Sequence, residues 1–389
     1  MDCITAAALI IFLFNFLAAL DVCLGLARMK RLSAHDPKIG DYRTKRPMVS
    51  LIVPACNEED GIDAALRSQL QQDYAHLEIV AVNDRSSDNT AVILEKLRQQ
   101  DSRLQVLHID ELPAGWLGKA HALQRGAEMA AGEYLLFTDG DIIMEKTTVS
   151  RAVGYMESEG LDHLCLVFKN ISSGLLLNSL ILESGAALLQ IFRPWRLRRK
   201  GSRRFIGVGA FNMVRKEVYE RIGGHRRIPM HPVDDIMLGK IIKRSGYRQD
   251  CLLGIDLVRL RWYESTGQMV RGLMKNAMAL MNFRYLLLPP VLLMLVTFNI
   301  LPLWGAVFSQ DAARLFFAGA VVVRTGVSYA GTRLLGISPL CAAGVLVTPY
   351  ISVYILLRAA WRNYRDGGIY WRGTHYALDE LRRNEPLLP

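Results

Sequence analysis

The chain has 389 residues, of which 51% are apolar, and its 47 Lys and Arg against 37 Asp and Glu leave a net charge of +10. That charge is diffuse and no nucleic-acid motif accompanies it, which argues against nucleic acid as a partner; basic residues beside apolar segments fit an anionic membrane leaflet instead. The six cysteines (Cys3, Cys23, Cys56, Cys165, Cys251 and Cys341) are scattered without a C-x-x-C or a His/Cys ligand spacing, so no disulfide framework or zinc site is expected.

Residues 4–27 are almost uninterruptedly apolar, long enough for a spanning helix of about 20 residues. Asp2 is the one charge ahead of this run, so the basic leader of a cleaved signal is missing and 1–30 reads as an uncleaved anchor. Arg28, Lys30 and Arg31 follow at once, which places the next domain in the cytoplasm. A polar linker, 33–46, leads into it.

The segment 46–284 alternates strand and helix patterns, the signature of a parallel sheet with helices on both faces. A buried-strand pattern at 48–54 ends in Pro54, followed by Ala55-Cys56-Asn57-Glu58-Glu59 and a helical pattern over 61–72. A second strand, 77–84, ends in Asp84; turn and capping chemistry (Arg85-Ser86-Ser87-Asp88-Asn89-Thr90) opens a helix over 91–100, and 104–108 reads as a third strand. Gly118-Lys119-Ala120-His121-Ala122-Leu123 opens the next helix. There a lysine beside free N–H groups and the positive end of the helix dipole can meet a diphosphate, although a lysine alone reads equally well as solvated.

The run Leu135-Leu136-Phe137 then stops at Thr138-Asp139-Gly140-Asp141. Alternate residues of an extended segment point the same way, so Asp139 and Asp141 can converge, and a divalent cation relieves their repulsion. A bare D-x-D also occurs in surface turns, but acidic residues at three strand ends (Glu58, Asp84 and Asp139) look like a site. Open α/β sheets bind ligands there.

The ordered set P-A-x-N-E-E, a strand-ending Asp with S-S-D-N-T, G-K-x-x-A-L and D-x-D resembles family 2 glycosyltransferases over roughly residues 48 to 285. The resemblance implies a single Rossmann-like domain of the GT-A type and inverting, metal-dependent transfer from a nucleotide-diphospho sugar. It assigns Pro54, Ala55, Glu58 and Asp84 to the base and ribose, Lys119 to the diphosphate, Asp139 to sugar and ribose, and Asp139 with Asp141 to Mg²⁺ or Mn²⁺. Further on, Val233-Asp234-Asp235-Ile236-Met237-Leu238 and Gly246-Tyr247-Arg248 resemble the acceptor-side motif, with Asp234 where the family more often has Glu and Asp235 as catalytic base. The chemistry agrees, because an attacking hydroxyl must lose a proton. An Asp-Asp pair at a helix start also reads as a cap.

The Q-x-x-R-W of processive relatives is incomplete: Gln268 and Arg271 are present, and Gly272 stands where the Trp belongs. Residues 175–192 are apolar and helix-length, and seven basic residues follow between Arg193 and Arg204, which reads as an interfacial segment. Three apolar stretches close the chain, 285–308, 313–335 and 337–357. The first and third read as spanning. The second carries Arg324 mid-segment, costly against lipid, and is expected to be re-entrant or packed inside a bundle. Residues 285–358 thus form a C-terminal membrane region and 359–389 a basic tail. Its Trp371-Arg372-Gly373 resembles the W-[RK]-G element of hopanoid-associated and carotenoid-glucosylating glycosyltransferases, which places Trp371 and Arg372 on the acceptor side beside Asp234, Gln268 and Arg271.

The expectation is a multi-pass protein of the inner or plasma membrane with one N-terminal and two to three C-terminal transmembrane helices and a cytoplasmic catalytic domain. It would move a sugar from a nucleotide-diphospho sugar, UDP-linked in the first instance, to a lipid hydroxyl such as an isoprenoid or hopanoid alcohol. A small processive polysaccharide synthase and a non-catalytic nucleotide-sugar-binding relative are the alternatives.

Overall fold

The structure, a computed structural model, describes residues 2–34 and 46–387; most of the linker 33–46 lies outside the described residues. The chain forms two compact units. One comprises Met29–Ile171 and Pro194–Arg261, the other Met1–Arg28, Ser172–Arg193 and Trp262–Pro389. These units cut across the chain-order segments expected from sequence, since 172–193 and 262–284 cluster with the apolar helices.

The first unit is built on ten strands: β1 (Val49–Ala55), β2 (Leu77–Asp84), β3 (Leu104–Ile109), β4 (Tyr134–Phe137), β5 (Ile143–Met144), β6 (His163–Val167), β7 (Lys169–Asn170), β8 (Asn212–Arg215), β9 (Gln249–Leu253) and β10 (Val258–Leu260). Seven make one sheet in the order β3-β2-β1-β4-β8-β6-β9, and β5, β10 and β7 make a small second sheet. Within the main sheet β8 alone runs against its neighbours β4 and β6. The central strands are mostly apolar because helices cover both faces: every residue of β2 is buried, and so is every residue of β1 except Pro54. Each of Leu51, Ile52 and Val53 contributes roughly 1.5–3 kcal/mol by leaving water.

Topology fixes where a site can lie. β1, β2 and β4 are parallel, so Ala55, Asp84 and the residues after Phe137 reach one edge of the sheet. β8 is antiparallel with Asn212 opposite Phe137, so the loop before β8 arrives at that same edge.

The second unit is helical. Cys3–Arg28, Leu175–Arg196, Tyr285–Phe308 and Asp311–Leu335 are long and apolar enough to cross a membrane. The middle C-terminal stretch, expected to be re-entrant or packed inside a bundle, is one continuous helix of 25 residues, Asp311–Leu335, with Arg324 bonded to a neighbouring helix. One expectation is corrected: the last stretch, read as a spanning helix, is broken, and a 3-10 segment, Pro339–Leu346, meets helix Thr348–Arg365 at a 59° bend.

Hydrogen bonding explains how Arg324 sits in a continuous helix. Pro302 has no N–H for the preceding turn, and residues Val296–Ile300 before it are wound as a π-helix. Two carbonyls of that turn accept from other helices: Phe298 O from Asn15 Nδ2 at 3.2 Å, and Asn299 O from Arg324 Nη1 at 2.6 Å. The helices close around small residues, as where Phe12 lies 3.0 Å from the place a Cβ of Gly319 would occupy. Arg193 pairs with Asp21 at 3.1 Å, so the first basic residue after 175–192 is held by a carboxylate of the N-terminal helix.

Candidate active site

The loops at the ends of β1 and β2 are stitched to each other. Asn57 Oδ1 accepts the Ser87 N–H at 2.8 Å, Thr90 Oγ1 accepts the Glu58 N–H at 2.8 Å, and Asp88 Oδ2 accepts the Glu59 N–H at 3.1 Å. Asn57 thus has a structural role, in a left-handed conformation with φ 55°. The Glu58 side chain comes forward instead, its Cγ 3.5 Å from where Gly140 would carry a Cβ.

Asp84 is buried at the end of β2 and held by its neighbour: Arg85 Nε donates to Oδ1 at 2.7 Å and Nη2 to Oδ2 at 3.0 Å. Gly118, opening helix Gly118–Met129, packs directly on this fork, and a Cβ there would lie 2.7 Å from Arg85 Nη2. Arg85 therefore packs with Asp84 and Gly118 at the end of β2, a residue that the sequence marks only as turn chemistry.

Next in the same helix, Lys119 Nζ donates to Asp139 Oδ1 at 2.5 Å and lies 4.0 Å from Asp234 Oδ1. Burial opposes the Lys119 charge, but Asp139, Asp234 and Asp235 outweigh it and raise the lysine pKa. Asp235, in the first turn of helix Asp234–Arg244, accepts the Gly209 N–H on Oδ2 and its own neighbour Ile236 N–H on Oδ1, both at 2.8 Å. Burial, followed by the adjacent Asp234, pushes its pKa up to about 6.

Gly209 is where these groups meet. A Cβ at this position would lie 3.0 Å from Asp139 Oδ2, 3.4 Å from Asp235 Oδ2 and 3.5 Å from Lys119 Nζ. Gly207 allows the same loop to cross the start of helix Asp234–Arg244, since a Cβ there would collide with the Asp235 carbonyl. A cavity lined by Lys119, Gly209, Asn212, His225, Asp234 and Asp235 opens at this point. Gly207, Gly209 and His225 escaped the sequence reading, although a G-x-G ahead of a strand signals a close backbone approach.

Asp141 tests the expected metal. Burial and then the charges of Asp139 and Glu58 push its pKa up to about 7, so its ionised form lacks a compensating cation. Among the described residues no three Asp, Glu, His or Cys side chains converge as a ligand set. Two carboxylates nevertheless suit Mg²⁺ or Mn²⁺, which complete their shell with water and substrate phosphates.

The remaining expected residues belong to the helical unit. Gln268 caps helix Thr266–Leu280: its N–H donates to Ser265 Oγ at 3.2 Å while its Oε1 accepts the Glu264 N–H at 2.6 Å. Arg271 is exposed one turn later. Trp371 and Arg372 sit at the tip of a hairpin (Gly368–Trp371 and Thr374–Ala377), with Lys275 Nζ 3.3 Å from the centre of the Trp371 ring.

Comparison with known proteins agrees with this geometry. The family described as Glycosyl transferase family 2 matches residues 50–223. The Bacillus subtilis glycosyltransferase EpsJ is 30% identical over 176 residues, 45% of this chain and 50% of that protein. The 4,4'-diaponeurosporenoate glycosyltransferase of Staphylococcus haemolyticus is 23% identical over 227 residues, 56% of this chain and 57% of its own. The chain thus spans about half the length of these curated relatives. In fold it is similar to a mannosyltransferase from Pyrobaculum calidifontis solved with GDP-Man and Mn²⁺ (TM-score 0.55, 19% identity, 93% of this chain and 99% of that one). The mixed α/β unit is GT-A-like, and its residues 50–223 match the family 2 glycosyltransferases.

Proposed function

We propose that the protein is an inverting hexosyltransferase that moves one sugar from a nucleotide-diphospho sugar, UDP-linked in the first instance, to the hydroxyl of a membrane lipid. The observation that carries this reading is the convergence of Lys119, Asp139 and Asp235 on Gly209 at the strand ends. An ammonium there can meet a diphosphate, and a carboxylate held by two backbone N–H groups can take a proton. With a pKa near 6, Asp235 is ionised at neutral pH yet basic enough to accept the acceptor's proton as the hydroxyl attacks the anomeric carbon.

Pro54, Ala55, Glu58 and Asp84 would hold base and ribose, with Arg85 orienting the Asp84 carboxylate. Asp139 and Asp141 would hold Mg²⁺ or Mn²⁺, which offsets the charge of the leaving diphosphate when bound. Asp234 lies beside the base, and Gln268, Arg271, Trp371 and Arg372 are assigned to the acceptor side. The lipid acceptor is supported by four helices long enough to span a bilayer and by the relative named for a carotenoid-type acid. On this reading residues 1–30 anchor the chain, 46–284 carry the cytoplasmic catalytic segment, 285–358 cross the plasma or inner membrane again, and 359–389 form the tail.

The test is release of nucleotide diphosphate by the detergent-purified chain across a panel of nucleotide sugars, with and without Mn²⁺ or Mg²⁺. Metal-dependent release from one donor, lost in Asp139→Asn and Asp141→Asn, is expected. Turnover that persists in both variants would refute the site assignment.

A further inference from the structure

Behind Asp234 lies a buried chain of hydrogen bonds that the transfer chemistry above does not use. His225, in the short turn Gly224–Arg227, is 1% exposed, with its Nε2 3.8 Å from Asp234 Oδ2 and its Nδ1 2.8 Å from the Tyr219 hydroxyl. The Tyr219 oxygen also accepts the His225 backbone N–H at 3.1 Å and lies 3.1 Å from Gln124 Oε1.

Counting hydrogens fixes the imidazole. Gln124 is oriented by two unambiguous bonds: its Oε1 accepts the Arg226 N–H at 3.2 Å and its Nε2 donates to Glu128 at 2.9 Å. The single Tyr219 proton therefore points to Gln124 Oε1, and burial, which raises the Tyr219 pKa, keeps that proton in place. Nδ1 must then donate to the phenol oxygen, because two lone pairs would otherwise face each other at 2.8 Å. That leaves Nε2 toward the Asp234 carboxylate, where a lone pair would be repelled and an N–H attracted. Lys119, 4.0 Å from the other Asp234 oxygen, favours the ionised carboxylate.

We infer that His225 is a positioning residue, an imidazolium locked by Tyr219 that offsets part of the Asp234 charge, so that Lys119 stays on Asp139 and the repulsion of the base Asp235 by its neighbour is limited. The groups around His225 are Lys119, Gln124 and Glu128 from helix Gly118–Met129, Tyr219 from Lys216–Arg221, Asp234 and Asp235 from Asp234–Arg244, and Arg226 and Arg227 of its own turn. The edge of His225 meets Phe137, whose apolar ring closes the remaining side at 5.1 Å. This role rests on the transferase reading, but the state of the ring does not.

The experiment has two arms. In the first, the full chain is labelled with ¹⁵N-histidine in detergent at pH 7. His225 is assigned through His225→Gln or, should that variant not fold, through the change at Nδ1 in Tyr219→Phe. Both ring nitrogens should carry protons in the wild type, and Nε2 should lose its proton in Asp234→Asn. A singly protonated wild-type ring overturns the inference whether or not the protein turns over a sugar nucleotide.

The second arm is kinetic. His225→Gln should lower kcat roughly tenfold, the equivalent of about one pKa unit of lost charge compensation, with the donor KM within about twofold. On an Asp234→Asn background, which removes the charge that His225 balances, His225→Gln should lower kcat by much less than tenfold. A double variant as slow as the product of the two single effects would reject the positioning role.

Discussion

Both units bury polar groups, but to opposite ends. In the helical unit Asn15 and Arg324 each donate to a main-chain carbonyl that the π-wound turn before Pro302 leaves open, so their hydrogen bonds complete a backbone. In the α/β unit Lys119, Asp234 and Asp235 line a cavity, Asp139 accepts from Lys119, and two carboxyls, Asp235 at the cavity and Asp141 near Asp139, have raised pKa values. Unrelieved charge facing a cavity indicates chemistry, whereas a charge matched to a carbonyl indicates architecture. The distinction is testable, because removing a group of the first kind should stop turnover and leave the fold intact, and removing one of the second should do the reverse.

The largest effect is expected from Asp235→Asn. Loss of a general base should cut kcat by roughly 10²–10⁴-fold. Thermal denaturation should show an unchanged or slightly higher midpoint, since a carboxylate buried beside Asp234 and Asp139 is relieved of its charge. In the wild type, kcat/KM should rise with pH through about 6 as Asp235 loses its proton, and then level off. A pH profile flat between 5 and 7 would remove Asp235 from the role. Gly209→Ala comes next. Its methyl would press against Asp139, Asp235 and Lys119 together, and a displacement of that order is worth up to about 10²-fold in turnover. Steady-state kinetics on the folded variant decide it, and near wild-type activity would mean that the three groups do not act at that point.

These two predictions also show what the sequence made legible. Strand-end carboxylates and a lysine after a helix-opening glycine carry local signals, so Glu58, Asp84, Lys119, Asp139 and Asp141 stand out from spacing alone. Gly209 and His225 do not, because their meaning depends on β8 running antiparallel to β4 and on a turn 100 residues after Gln124 packing against it. Arg324 shows the same limit from the other side. Against lipid it looks costly, which left a re-entrant segment and a helix packed inside a bundle both open. Its acceptor, Asn299 O, is 25 residues away in a π-wound turn that the sequence pattern does not mark. Gln268 was legible as part of a pattern, whereas its two bonds at the helix end were not.

Charge compensation by a metal sharpens the comparison further. On the proposed assignment of Mn²⁺ to Asp139 and Asp141, an ion that binds below about pH 7, where burial favours the protonated Asp141 carboxyl, must displace that proton. Titration calorimetry at pH 6 in buffers of different ionisation enthalpy should report close to one proton released per ion, falling toward zero above pH 8. Equal heats in all buffers would place the metal away from Asp141.

The smallest effects belong to the helical unit. Arg324→Leu leaves the Asn299 carbonyl without its donor, which should cost about 1–3 kcal/mol of stability. Asn15→Leu should cost less, about 0.6 kcal/mol, the average for a side-chain hydrogen bond between membrane helices. The order follows from geometry: the Arg324 bond is 2.6 Å and charge-assisted, whereas Asn15 Nδ2 divides its donors between Phe298 O at 3.2 Å and Ile11 O of its own helix at 3.0 Å. Both variants should keep the wild-type kcat per folded molecule, measured as active fraction against the denaturation midpoint in detergent. A variant that folds as well as the wild type but turns over tenfold more slowly would place that residue with the chemistry, and the contrast between the two kinds of buried charge would fail at that residue.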